Sequence, residues 1–176
     1  MINATIRIEE FANSRLKKII IQNKFLTVEL LNYGARLYRI FTPDRTGKME
    51  NVLLSYDDPK AVLQDQSYFG ATVGPVAGRI KNGDWNGYSL ERNDGPNHCH
   101  GGSKGWSFQY FNLESIDTKT AEVRLTLLDT KSGYPGTLKV TVSYQLRGQK
   151  LIIKMIGFGT EKTLFNPTNH AYFNLS

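Results

Sequence analysis

Cysteine is almost missing from this chain. One thiol, Cys99, in 176 residues rules out an internal disulfide and suits a reducing compartment. Long apolar runs are missing too, and none approaches the roughly 20 residues that a bilayer-spanning helix needs. The amino terminus, MINATIRIEEFANSR, carries acidic residues where a secretion signal would have an apolar centre. A cytoplasmic protein with no membrane partner is therefore expected. Long basic runs are absent as well: Lys17-Lys18 is the longest, and the net charge of +6 is spread over scattered lysines and arginines. Without a basic stripe interleaved with aromatics, no nucleic-acid partner is expected. What remains is ordinary globular composition, 40% hydrophobic and 22% charged. The length suits one domain or one lobe of a larger one, able to bury roughly 70% of the surface of its unfolded form.

Helical periodicity is also scarce, and period-two alternation takes its place. Leu26, Val28 and Leu30 alternate with Thr27 and Glu29, and Val123, Leu125 and Leu127 with Glu122, Arg124 and Thr126. The clearest run sets Leu138, Val140, Val142, Tyr144 and Leu146 against Lys139, Thr141, Ser143 and Gln145. Each predicts a strand with one buried face and one face free to meet water or a ligand. Arg147-Gly148-Gln149-Lys150 predicts a short hairpin into Leu151–Ile156. Asn23-Lys24 predicts a turn between Leu16–Ile21 and Phe25–Leu31, and Asn32-Tyr33-Gly34 a break before Ala35–Phe41. Asp58 before Pro59 is the one good helix start, opening a short helix over Pro59–Leu63. Many short strands with glycine-rich turns imply a β-sandwich or a barrel-like sandwich.

Three histidines carry the chemical interest. His170 lies in TLFNPTNHAYFNLS, where alternation puts His170, Tyr172 and Asn174 on a polar face and Asn169, Ala171, Phe173 and Leu175 on an apolar one. A rigid strand holds an acid or base to within a fraction of an ångström. His98 and His100, if extended, share one face with Cys99 opposite. That pair, with His170 as third ligand, would make a cupin-like metal site, but no glutamate follows at the usual short distance. Arg79, among Gly70, Gly74, Gly78 and Gly83, offers a fork of donors to neighbouring hydroxyls or else solvates an edge. Trp106, Phe108 and Tyr110 offer either a flat surface for a sugar or core, and Gly133-Tyr134-Pro135-Gly136 a fixed turn.

Taken in order, YFGATVG…AGRI..G, N-H-C-H-G-G..G-W, G-Y-P-G and N-P-T-N-H-A-Y-F-N-L resemble the aldose 1-epimerases, or galactose mutarotases, over about Asn32 to Ser176. The resemblance implies a large antiparallel β-sandwich, of which residues 1–176 would be the amino-terminal portion. It implies interconversion of the α and β anomers of free aldohexoses such as galactose or glucose, without metal or organic cofactor. His170 matches the general acid that protonates the ring oxygen. His100 matches the second active-site histidine, Arg79 the arginine on the sugar hydroxyls, and Gly78 and Tyr172 neighbouring substrate contacts. Gly78 departs from the asparagine of many members, and Leu164 from a common proline. The family's base is a glutamate in the carboxy-terminal half, accompanied by a substrate-binding aspartate, and no acidic residue here falls in the base motif. The expectation is an amino-terminal segment that binds sugar weakly, turns over poorly, and exposes strand edges through which it dimerises. A non-catalytic sugar-binding relative and a hexose-6-phosphate epimerase are the alternatives.

Overall fold

The computed structural model describes residues 4–174; Leu175, assigned above to the apolar face, lies outside the described residues. Strands β1 (Thr5–Glu10), β2 (Lys17–Gln22), β3 (Thr27–Leu31), β4 (Arg36–Pro43) and β5 (Met49–Asn51) form an antiparallel meander in chain order. A 3-10 segment, Pro59–Gln64, follows, and the Asp58 carboxylate accepts the Lys60 N–H at 2.9 Å as an N-cap should. The middle of the chain makes only short pieces: β6 (Thr72–Val73), β7 (Arg79–Ile80), β8 (Asp84–Trp85), β9 (Tyr88–Ser89) and β10 (His98–Cys99). Here β7 pairs with β10 and β8 with β9. The second large sheet, also antiparallel in chain order, comprises β11 (Asn112–Asp117), β12 (Glu122–Asp129), β13 (Leu138–Arg147) and β14 (Lys150–Gly159). Gly148 and Gln149 form the expected two-residue hairpin, with Arg147 opposite Lys150. Finally β15 (Thr168–Asn169) returns to pair with β6.

One core joins the two large sheets. Ile19, Ile21, Val28, Leu30, Leu37 and Ile40 meet Val123, Leu125, Val140, Val142, Tyr144 and Leu146, with Trp106 and Phe111 filling between them. Each such aliphatic side chain, fully buried, contributes about 1.5–3 kcal/mol. The alternation predicted for β12 and β13 holds: Lys139 and Arg124 are exposed while Val140 and Leu125 are not.

The first sheet departs from the expectation of a free outer face. Leu16, Leu31, Tyr38 and Val62 form a second buried cluster on that side, so the segment before and through the 3-10 turn covers it and Glu29 is itself buried. A bulge makes this possible. Glu29 pairs with Arg39 but Leu30 with Leu37, which leaves Tyr38 as the extra residue and turns it onto the outer face.

The segment 168–174 is not one continuous strand either. After β15 it stays extended but crosses between partners: His170 N donates to Ala71 O at 2.8 Å, Leu54 N to Tyr172 O at 2.9 Å and Asn174 N to Val52 O at 2.9 Å. Its expected apolar side is split, because Ala171 packs on the core while Phe173 is 62% exposed. No helix among the described residues is long and apolar enough to cross a membrane.

Under the bulge lies a fully buried ion pair. The Arg36 Nη1 donates to Asp65 Oδ2 at 2.5 Å with both side chains 0% exposed. Asp65 also accepts from the Tyr56 hydroxyl at 2.9 Å and from Ser67 N at 2.8 Å. Removing one member strands a buried charge. Asp65→Ala is expected to lower unfolding stability by about 3–5 kcal/mol in urea titration.

Candidate active site

The turn at 68–71, the segment 98–102 and the segment 169–172 meet edge to edge. Their contact is set first by main chain. Gly70 N donates to His170 O at 2.9 Å, and His100 N donates to Gly78 O at 3.0 Å. Asn169 adds its side-chain amide, donating to Gly70 O at 2.9 Å. Asn93 clamps β10 from the other side, accepting from Cys99 N at 2.8 Å and donating to Cys99 O at 2.9 Å. Glycine is required where these segments approach most closely: a Cβ on Gly101 would lie 2.0 Å from Gly74 O.

On this frame the imidazoles of His100 and His170 face each other edge to face, ring centres 5.4 Å apart. Tyr172 stands beside His170 at 5.0 Å, and its other side meets Phe69 at 5.1 Å. Tyr68 lies against both imidazoles, at 5.0 Å from His100 and 5.8 Å from His170. The two histidines expected at the site are thus brought together, with Tyr172 and Gly78 beside them. The alternation that placed Tyr172 on the side of His170 holds.

Gly78 fixes the proton on His100. Its N–H donates to His100 Nδ1 at 3.1 Å, so Nδ1 is an acceptor and the ring proton sits on Nε2. Burial, His170 and Arg79, in that order, hold the His100 pKa below the usual imidazole range, with Asp94 opposing. The arrangement therefore offers a neutral imidazole that carries its proton on Nε2. The backbone of Gly78 is left-handed (φ +81°), and nothing lies within 4 Å of where its Cβ would be.

Arg79 is mostly exposed, and its Nε donates to Asp94 Oδ2 at 2.5 Å. It belongs to β7, opposite Cys99 of β10, close enough for its charge to bear on His100.

The expectation that His98 and His100 share a face is overturned. His100 has φ +55°, and a left-handed residue breaks the alternation of an extended chain. His98 turns into the interior, fully buried, its Nδ1 2.7 Å from Glu91 O and its ring against Tyr134 at 5.4 Å. A carbonyl only accepts, so His98 carries its proton on Nδ1, the opposite tautomer to His100. The metal alternative built on His98, His100 and His170 fails on this geometry. Among the described residues no group of three or more His, Cys, Asp and Glu is arranged to hold a metal ion.

The aromatics divide. Trp106 is core, its indole N–H donating to the buried Asp129 Oδ2 at 2.7 Å. Tyr110 packs on Tyr33 at 4.9 Å and under the Arg15 guanidinium at 4.8 Å. Phe108 alone of the three reaches the site, touching Tyr68 at 5.5 Å. Tyr134 of the Gly133–Gly136 turn is buried against His98, a structural use. Tyr68 and Asn93 carry no period that sequence patterning detects; each acts through a local backbone geometry.

The comparisons with known proteins point one way. The family model described as aldose 1-epimerase matches residues 17–176. The galactose mutarotase of Bos taurus is 36% identical over 165 residues, covering 92% of this chain and 48% of that protein. The aldose 1-epimerase of Streptococcus thermophilus is 34% identical over 163 residues, covering 88% and 47% respectively. The crystal structure of galactose 1-epimerase from Lactobacillus acidophilus superposes with a TM-score of 0.84 at 34% identity, over 99% of this chain and 54% of that one. The chain spans about half the length of the curated relatives it matches.

His100 is expected to titrate in an NMR pH series below the ordinary value of about 6.5, with the Nε2–H tautomer at neutral pH. Since the unfolded chain takes up that proton first, this group's contribution to stability is constant above about pH 6.5 and falls as pH drops from there toward the folded value. His100→Gln should remove that part of the acid dependence.

Proposed function

Because the chain belongs to the aldose 1-epimerase family, whose model it matches from residue 17 to 176, we propose that it carries the histidine half of a site that opens and recloses an aldohexose ring. The observation that supports this best is the edge-to-face pair of His100 and His170 at 5.4 Å, walled by Tyr68 and Tyr172.

Mutarotation requires one proton to leave the anomeric hydroxyl and one to reach the ring oxygen. The ring C1–O5 bond then breaks to give the open aldehyde, rotation about C1–C2 exchanges the faces, and closure reverses the two transfers. In this reading His170 delivers the proton to the ring oxygen. An imidazole with a reference pKa of about 6.5 can give and retake a proton near neutrality. His100, neutral and donating from Nε2, hydrogen-bonds beside the same oxygen. Its bond from Gly78 N keeps it from taking a proton at Nδ1 without breaking that contact, so the two imidazoles divide into a donor of hydrogen bonds and a donor of protons. Arg79 and Tyr172 meet the sugar hydroxyls and face, and Gly78 lines the rim.

The proton acceptor is assigned to the part of the relatives that this chain does not span. Asp94 acts on His100 but is engaged by Arg79 at 2.5 Å, so it is not given that role. In this reading residues 4–174 by themselves bind the sugar weakly and turn it over slowly. Its ligand is a neutral aldohexose, and the chemistry calls for no metal or organic cofactor.

The unpaired edge of β14 bears on partners. It is ten residues long, bonded only to β13 among the described strands, and Ile152, Ile156 and Phe158 on its outer face are 36%, 37% and 72% exposed. Such an edge can pair antiparallel with a second copy about a two-fold axis.

Polarimetry of fresh α-galactose tests the reaction: a rate above buffer that falls to the buffer rate in His170→Asn, with binding retained, is the expected result, since one placed acid is worth about 10²–10⁴-fold. A rate equal to that of the unaltered chain in His170→Asn would remove the assignment. Light scattering on a gel-filtration column should show mass rising with concentration, and Phe158→Lys should hold the chain as a monomer.

A further inference from the structure

In the scheme above Tyr68 only walls the site, yet its ring completes a triangle with the two imidazoles. The centroid distances are 5.0 Å to His100, 5.8 Å to His170 and 5.4 Å between the histidines. A fourth ring, Phe108, backs it at 5.5 Å.

Its backbone is the second observation. Tyr68 has φ +58°, a left-handed conformation that a bulky aromatic adopts at a cost of order 1–3 kcal/mol and only where its surroundings over-determine it. They do so here on both sides. Before Tyr68, Ser67 N donates to Asp65 Oδ1 at 2.8 Å. After it, Arg36 Nη1 donates to Phe69 O at 2.7 Å while holding Asp65 Oδ2 at 2.5 Å. The buried ion pair thus grips the chain one residue before and one residue after the strained position. Ala71 N closes the turn on Tyr68 O at 3.0 Å, and Gly70 N passes directly to His170 O at 2.9 Å. On its other side Leu37 N donates to Gly70 O at 2.8 Å, an approach so close that a Cβ on Gly70 would fall 1.8 Å from Leu37 O. Burial also raises the phenol pKa, so the side chain stays uncharged next to both imidazoles.

We infer that Tyr68 is a positioning residue: clamped from below by Arg36–Asp65, its ring fixes the angle between His100 and His170 and keeps the pair set for a sugar. The inference deepens the epimerase reading and rests on it for the sugar, but the imidazole geometry can be measured without turnover.

The test uses this chain with Tyr68→Gly and Tyr68→Phe. Glycine accepts φ +58° without strain, so the Gly variant should melt no lower than the unaltered chain. Its imidazole-to-imidazole NOE should disappear, and galactose titrated against the His100 and His170 ring signals should bind about two- to tenfold more weakly, the loss expected of one aromatic contact. The Phe variant should restore both. Retention of the NOE and of galactose affinity in Tyr68→Gly would overturn the inference. So would a Gly variant that loses its fold, which would make Tyr68 structural, or a Phe variant that behaves like Gly, which would shift the role to the hydroxyl. Should galactose perturb neither histidine in the unaltered chain, the sugar reading fails here, and the NOE arm still decides the role of Tyr68.

Discussion

The geometry of the site hangs on a single run of main-chain hydrogen bonds. The segment from Asn166 to Asn174 belongs to neither large sheet, yet it bonds in succession to Pro75 and Ala77, to Gly70 and Ala71, and to Val52 and Leu54. Each bond is modest by itself, about 0.5–1.5 kcal/mol net. Together they satisfy a nearly continuous backbone that would otherwise be desolvated without partners. They also fix where His170 stands, because its N–H and C=O are taken by Ala71 and Gly70 and leave the side chain no freedom to slide along the groove. Gly70 and Gly101 follow from the same kind of constraint, since a Cβ there would strike the main-chain oxygens of Leu37 and Gly74, whereas at Gly74 it is the Trp106 indole that leaves no room.

Two histidines two residues apart show how local backbone decides chemistry. His98 gives its Nδ1–H to a carbonyl and lies in the interior, while His100 receives a peptide N–H on Nδ1 and turns Nε2 outward. Identical side chains thus end as opposite tautomers, His98 with its proton on Nδ1 and His100 with its proton on Nε2. The difference arises from one left-handed residue and from what the adjacent strand presents.

Much of the fold was legible because burial in β12 and β13 is largely one-sided, so that Val123, Leu125, Val140 and Val142 alternate with more exposed neighbours, Ser143 being the one polar neighbour that is buried with them. The first sheet was read less well. Leu31 and Tyr38 are buried by Leu16 and Val62, which no local period can reveal, and the bulge at Tyr38 shifts the phase of β4 in mid-strand. The proximity of His100, His170 and Tyr172 at the candidate site was legible from motif and alternation. The placement of His98 was not, since alternation assumes an extended backbone and position 100 is not extended. Tyr68 escaped for the same reason: its importance lies in a positive φ and in an ion pair contributed by residues 32 and 3 positions upstream, Arg36 and Asp65.

Gly78 has both its N–H and its C=O committed to His100, whereas the direction of a side chain there is vacant. Volume is therefore not what restricts this corner; conformational tolerance is. At φ +81° asparagine and aspartate are the side-chain-bearing residues that enter most readily, and branched aliphatics are refused. An amide or a carboxylate can thus be added or removed at this corner while the main chain that holds His100 keeps its path.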